Sequence, residues 1–215
     1  MCIISYMNIE LVAHTPNSEL VIANAARTCY DSKEKDLEAS RKMIKAIIKS
    51  GHESCVEHAT ATFRLEDVSR VLTHELVRHR IGFSYSQRSQ RYVKEDEPSY
   101  VVPDMLVDSS TTNQKLLLAK DVFDKAMQHA WDAYSLLLSY GLKPEDARFV
   151  LPNACTTEIV VTADFRAWRN FLKLRLSPRA QWEIRKAANL ILDKLYEIAP
   201  SCFEDLKDGT SIQTT

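Results

Sequence analysis

Glycine is scarce in this sequence. Four occur in 215 residues: Gly51, Gly82, Gly141 and Gly209. Dinucleotide-binding and P-loop folds cluster glycines so that the backbone can approach phosphates. Neither GxGxxG nor a GxxxxGK loop is present. Any nucleotide bound here must be held mostly by side chains. Paired cysteine is missing too. Cys2, Cys29, Cys55, Cys155 and Cys202 are odd in number and none forms a CxxC. With 45% hydrophobic residues the chain needs no covalent staples, so they read as reduced thiols of a cytoplasmic protein. Charge of one sign is also lacking. A formal net charge of −1 gives no global pull toward nucleic acid or an anionic membrane. No run approaches the roughly 20 apolar residues of a membrane span. The opening MCIISYMNIELVAH lacks the basic region and apolar stretch of a signal peptide.

What is present reads as one α/β (α+β) domain over residues 1–215, with more helix than strand and no repeats or interdomain linker. Residues 2–13 are expected to form a strand. Asn17 or Ser18 caps a helix through Ala26, and Asp36 caps another that stops at Gly51. Residues 59–66 alternate apolar and polar, the cleanest strand pattern in the chain. Asp67 is then expected to cap a helix carrying Val68, Val71, Leu72 and Leu76. Residues 84–108 are expected to be mostly loop. A long helix spans about 112–140, and Pro144 begins a short one. Residues 155–163 are a strand, Asp164 caps the next helix, and Pro178 opens the last. Residues 201–215 are expected to be a loose tail.

Three clusters carry chemical potential. Residues 74–94, HELVRHRIGFSYSQRSQRYVK, hold Arg78, Arg80, Arg88, Arg91 and Lys94 against a single acid, Glu75. Arginine forks match phosphate and carboxylate geometry. On a helix end, Arg78 and Arg80 would face about 200° apart and serve different groups. GHESCVEH at 51–58 concentrates His, Glu and Cys but fits no zinc spacing, and no metal is expected. On the helix after Asp164, Arg166 and Asn170 share a face. Residue chemistry alone leaves two other readings open: a nucleic-acid-binding module using residues 78–94, or a metal-dependent hydrolase using His52, Glu53, His58, His74 or His79.

RHRIGFSYSQRS resembles the signature of the flavin-dependent thymidylate synthases, Arg-His-Arg followed after seven or eight residues by Ser. AARTCYDS, GHESCVEH, RFVLP and FRAWRNFLKLR with AQWEIR follow in that family's order, so the resemblance covers roughly residues 20–205. It implies mixed helices around a small, mostly antiparallel sheet. It implies a homotetramer with active sites at subunit interfaces, acting on dUMP with FAD, methylenetetrahydrofolate and NADPH, and no nucleic acid or membrane as partner. FAD would be gripped by Ser54, Arg78, His79, Arg80, Arg166 and Asn170, with Gln87 and Asp164 at further cofactor positions. dUMP would meet Glu75, Arg78, Gln87, Arg88, Ser89, Gln90, Arg91, Arg148 and Arg175. Arg175 resembles the catalytic arginine set against the uracil ring. No cysteine here follows a proline, as the nucleophile of classical thymidylate synthase does. Ser89 is read as a positioning hydroxyl because nothing in sequence supplies it with a base.

Overall fold

The computed structural model describes residues 7–29, 31–33, 36–95, 99–107 and 112–209. Its strands are β1 (Asn8–His14), β2 (Thr60–Ser69), β3 (Phe83–Gln87) and β4 (Thr156–Asp164). They form one four-stranded antiparallel sheet in the order β1-β2-β4-β3. The helices are α1 (Ser18–Thr28), α2 (Leu37–Lys49), α3 (Arg70–Leu76), α4 (Asp104–Val107), α5 (Gln114–Ser139), α6 (Pro144–Ala147), α7 (Phe165–Arg175), α8 (Trp182–Ile198) and α9 (Pro200–Lys207). The expected helix-rich α/β (α+β) class is therefore observed. Residues 2–6 of the expected first strand lie outside the described residues.

The chain divides into two compact units, each discontinuous in sequence. The first comprises Met1–Asn8, Glu66–His74 and Gln87–Ile159; the second comprises Ile9–Leu65, Glu75–Ser86 and Val160–Thr215. In the first, Tyr100, Val102 and Met127 form a buried cluster against Leu106, Phe123 and Ala154. In the second, Phe63, Phe165, Trp168, Phe171 and Phe203 are fully buried. Phe63 and Trp168 meet edge to face at 5.2 Å. Trp168 Nε1 also donates to the Ala61 carbonyl at 3.1 Å, which ties α7 to β2.

Local capping explains where several helices begin. Asp36 accepts from the Ala39 amide at 2.8 Å and Asp164 from the Ala167 amide at 2.8 Å, as expected for Asp at an N-cap. Four expectations are corrected. Asp67 does not cap a helix; it lies within β2 with a left-handed φ of 55°, and Ser69 Oγ accepts from the Leu72 amide instead. Residues 83–87 are a strand rather than loop. Pro178 does not open α8, which starts at Trp182 after the Gln181 side chain accepts from two backbone amides. The tail is not loose over 200–207: α9 buries Ser201, Cys202, Phe203 and Leu206, while residues 210–215 lie outside the described residues.

Candidate active site

In the second unit, α7 presents two faces. Phe165, Ala167, Trp168, Arg169, Phe171 and Leu172 are buried, whereas Arg166 and Asn170 point outward one turn apart. Both outward residues line an open cavity of about 450 Å³ together with Glu53, Glu57, Ile81, Asp164, Ala167 and Lys173. That volume is within the range of small-molecule sites. Arg166 pairs with Glu57 at 2.5 Å. Glu53 receives Lys173 at 2.8 Å and the buried Arg169 at 3.1 Å. Burial opposes ionisation of Glu53, but Lys173 and Arg169 outweigh it and hold the carboxyl below its ordinary range. Ser54 is exposed on the 3-10 helix Glu53–His58, between the two cavity acids.

The Arg-His-Arg segment is not on a helix. α3 ends at Leu76, and Arg78, His79 and Arg80 follow in a turn, so the expected helical separation of the two arginines does not apply. Tyr85 fastens this turn. Its hydroxyl lies 2.9 Å from the Leu76 carbonyl and 2.5 Å from that of His79. Gly82 closes it, with φ of 77° and no room for a Cβ beside Asp164 and Ala167. Arg78 and Arg80 are exposed, and among the described residues neither makes a side-chain hydrogen bond or ion pair. Ile81 beside them is 92% exposed, an apolar surface next to two free cations.

Arg175, in the last turn of α7, reaches back to the end of α3 and to the same turn. Its Nη1 donates to Glu75 Oε2 at 2.7 Å, Nη2 to the Glu75 carbonyl at 3.3 Å, and Nε to His79 Nε2 at 3.0 Å. Burial and then the Arg175 charge push the His79 pKa down to about 4, so the ring is neutral near pH 7.

The remaining expected site residues belong to the first unit. Gln87 Nε2 donates to the hydroxyls of Thr73 at 3.1 Å and Thr157 at 3.3 Å. Arg88 pairs with Glu95 at 2.5 Å. Arg91 pairs with the Glu145 carboxylate at 2.8 Å, and Arg148 Nε donates to the Glu145 carbonyl at 3.1 Å, so one residue gathers both cations. Ser89 Oγ accepts from the Arg91 amide at 3.2 Å, and no base holds its hydroxyl among the described residues. Gln90 is buried with its Nε2 unpartnered. Among the described residues, no three His, Cys, Asp or Glu side chains are grouped to hold a metal ion.

The sequence profile of the thymidylate synthase complementing protein family matches residues 10–201. A flavin-dependent thymidylate synthase of Clostridium tetani is 40% identical over 92% of this chain and 86% of its own. One from Geobacter sulfurreducens is 44% identical over 94% of this chain and 88% of its own. This chain belongs to the flavin-dependent thymidylate synthase family. The UMP/dUMP methylase PolB of Streptomyces cacaoi, solved with 5-Br dUMP, superposes with a TM-score of 0.81 over 95% of this chain and 96% of that one. At 24% identity the likeness speaks for the fold.

Against the family signature, sequence reasoning missed Glu53, Glu57, Ile81 and Lys173 as cavity residues. Two had a local signal: Ile81 directly follows Arg80, and Glu57 lies three residues after Ser54. Lys173 had the helical spacing, three residues beyond Asn170.

Proposed function

We propose that this protein is a methyltransferase that converts dUMP to dTMP. FAD is its flavin, methylenetetrahydrofolate its carbon donor and NADPH its reductant. One observation carries the reading beyond family membership: two free arginines and the exposed Ile81 sit on a turn that Tyr85 and Gly82 hold rigid. Such a surface suits an anionic, planar cofactor held by side chains. Arg78, Arg80, Arg166 and Asn170 would hold FAD, with Ser54, His79, Gln87 and Asp164 at the further positions that the resemblance assigns. Asp164 already spends one carboxylate oxygen on the Ala167 amide, so its role toward the cofactor is to fix α7 as well as to line the cavity. Bound FAD supplies the hydride.

For dUMP the resemblance assigns Glu75, Arg78, Gln87, Arg88, Ser89, Gln90, Arg91, Arg148 and Arg175. Arg175 is a fixed cation; placed against the uracil ring, it would stabilise charge developing at N3 and O4. Ser89 contributes a positioning hydrogen bond, since it has no base among the described residues. Homotetramer assembly would complete each active site.

The visible spectrum of the purified protein tests the reading. Flavin absorption retained through desalting is the expected result. A colourless protein that binds oligonucleotides in a salt-sensitive way, or one that carries stoichiometric zinc, would replace it.

A further inference from the structure

We propose that His79 is a positioning residue for Arg175: its imidazole Nε2 accepts the Arg175 Nε–H and, together with Glu75, fixes the guanidinium plane toward the nucleotide base. The inference rests on the reading of Arg175 as the arginine set against uracil.

Three nitrogens of one guanidinium are held by two residues, Glu75 at the end of α3 and His79 just beyond it: Nε by His79 at 3.0 Å, Nη1 by the Glu75 carboxylate at 2.7 Å and Nη2 by the Glu75 carbonyl at 3.3 Å. A guanidinium has five N–H donors, so two remain for a ligand in a fixed direction. Accepting a bond from a cation requires a bare Nε2, which puts the imidazole proton on Nδ1. The ring is itself immobilised. It packs edge-on against Phe171 at 5.1 Å and tilted against Phe83 at 6.0 Å, and Tyr85 binds its carbonyl. Burial and the Arg175 charge keep it neutral, and so able to accept, down to about pH 4. A direct bond from Nε2 to the flavin would require giving up Arg175.

The test is dUMP affinity in the flavin-loaded protein, titrated to millimolar nucleotide, for four variants. His79→Phe keeps a packed ring but removes the acceptor. Reloaded with FAD, it is expected to weaken dUMP binding about tenfold, the size of one charge-assisted hydrogen bond. His79→Gln, with an amide oxygen in reach, recovers part of the loss. In an Arg175→Ala background, His79→Phe should add nothing. Loss of flavin with dUMP affinity intact, or fully additive losses, would overturn the proposal. A parent protein that binds no dUMP at any concentration would instead overturn the proposed function. Imidazole 15N shifts of the parent protein give a readout that does not depend on a variant folding. Nε2 should be unprotonated and Nδ1 protonated from pH 8 to 5, and a protonated Nε2 contradicts the proposal.

Discussion

Gly82 lies so close to Asp164 that a Cβ built on the glycine would meet the carboxylate Oδ2 at 2.5 Å and the Ala167 Cβ at 2.8 Å. The contact locks the turn carrying Arg78 to Arg80 against the start of α7, which carries Arg166 and Asn170. Its φ of 77° also disfavours any L side chain. Gly82→Ala should therefore destabilise the protein by about 2–4 kcal/mol, from backbone strain plus overpacking. Urea unfolding measures it, and an unchanged midpoint would show that the turn is not packed this tightly.

Arg169 is the second structural anchor. It is fully buried, pairs with Asp205 through two bonds of 2.7 Å and with Glu53 at 3.1 Å, and also donates to the Cys202 carbonyl. Its removal strands Asp205 beside a core. Arg169→Met should cost about 3–5 kcal/mol in the same unfolding experiment, because one partner of a buried pair is left behind.

Arg78 and Arg80 lack partners of their own among the described residues, so stability should not depend on them. Arg78→Ala and Arg80→Ala should leave the unfolding midpoint within about 0.5 kcal/mol, as for exposed sites. Each should weaken flavin retention by about 1.5–3 kcal/mol, the value of a charge-assisted bond. Equal flavin content in all three proteins would remove these residues from the cofactor site.

His79 gives the folded protein a pH dependence of definite sign. The unfolded chain takes up a proton near the ordinary value of 6.5, whereas the folded chain holds the ring neutral down to about pH 4. The unfolded state thus binds more protons in this window, and stability falls as pH drops from about 6.5 to 4. In His79→Phe the fall between pH 6.5 and 4.5 should be shallower. A curve identical to the parent's would mean that the ring is not held neutral.

Features set by neighbouring residues were legible in the sequence. The Asp36 and Asp164 caps and the alternation of β2 are of this kind, because cap geometry and strand period act over a few residues. Misreadings arose where two local signals competed. Asp67 and Pro178 look like helix starts, but Ser69 and Gln181 supply the side-chain bonds that begin α3 and α8. β3 was hidden by its serines, although Phe83, Tyr85 and Gln87 alternate with them. Nothing local marks Arg169 as a buried ion-pair residue, because its acids lie 116 and 36 positions away. The Glu75–Arg175–His79 arrangement spans about 100 positions and was legible only as separate site residues of a family signature.

The central claim is tested most directly by following dUMP chromatographically in the presence of the protein, FAD, NADPH and methylenetetrahydrofolate. The account predicts dTMP in amounts exceeding the enzyme, none when methylenetetrahydrofolate is omitted, and none from Arg175→Lys, which keeps the charge but loses the planar fork. Absence of dTMP from a folded, flavin-loaded protein would contradict it.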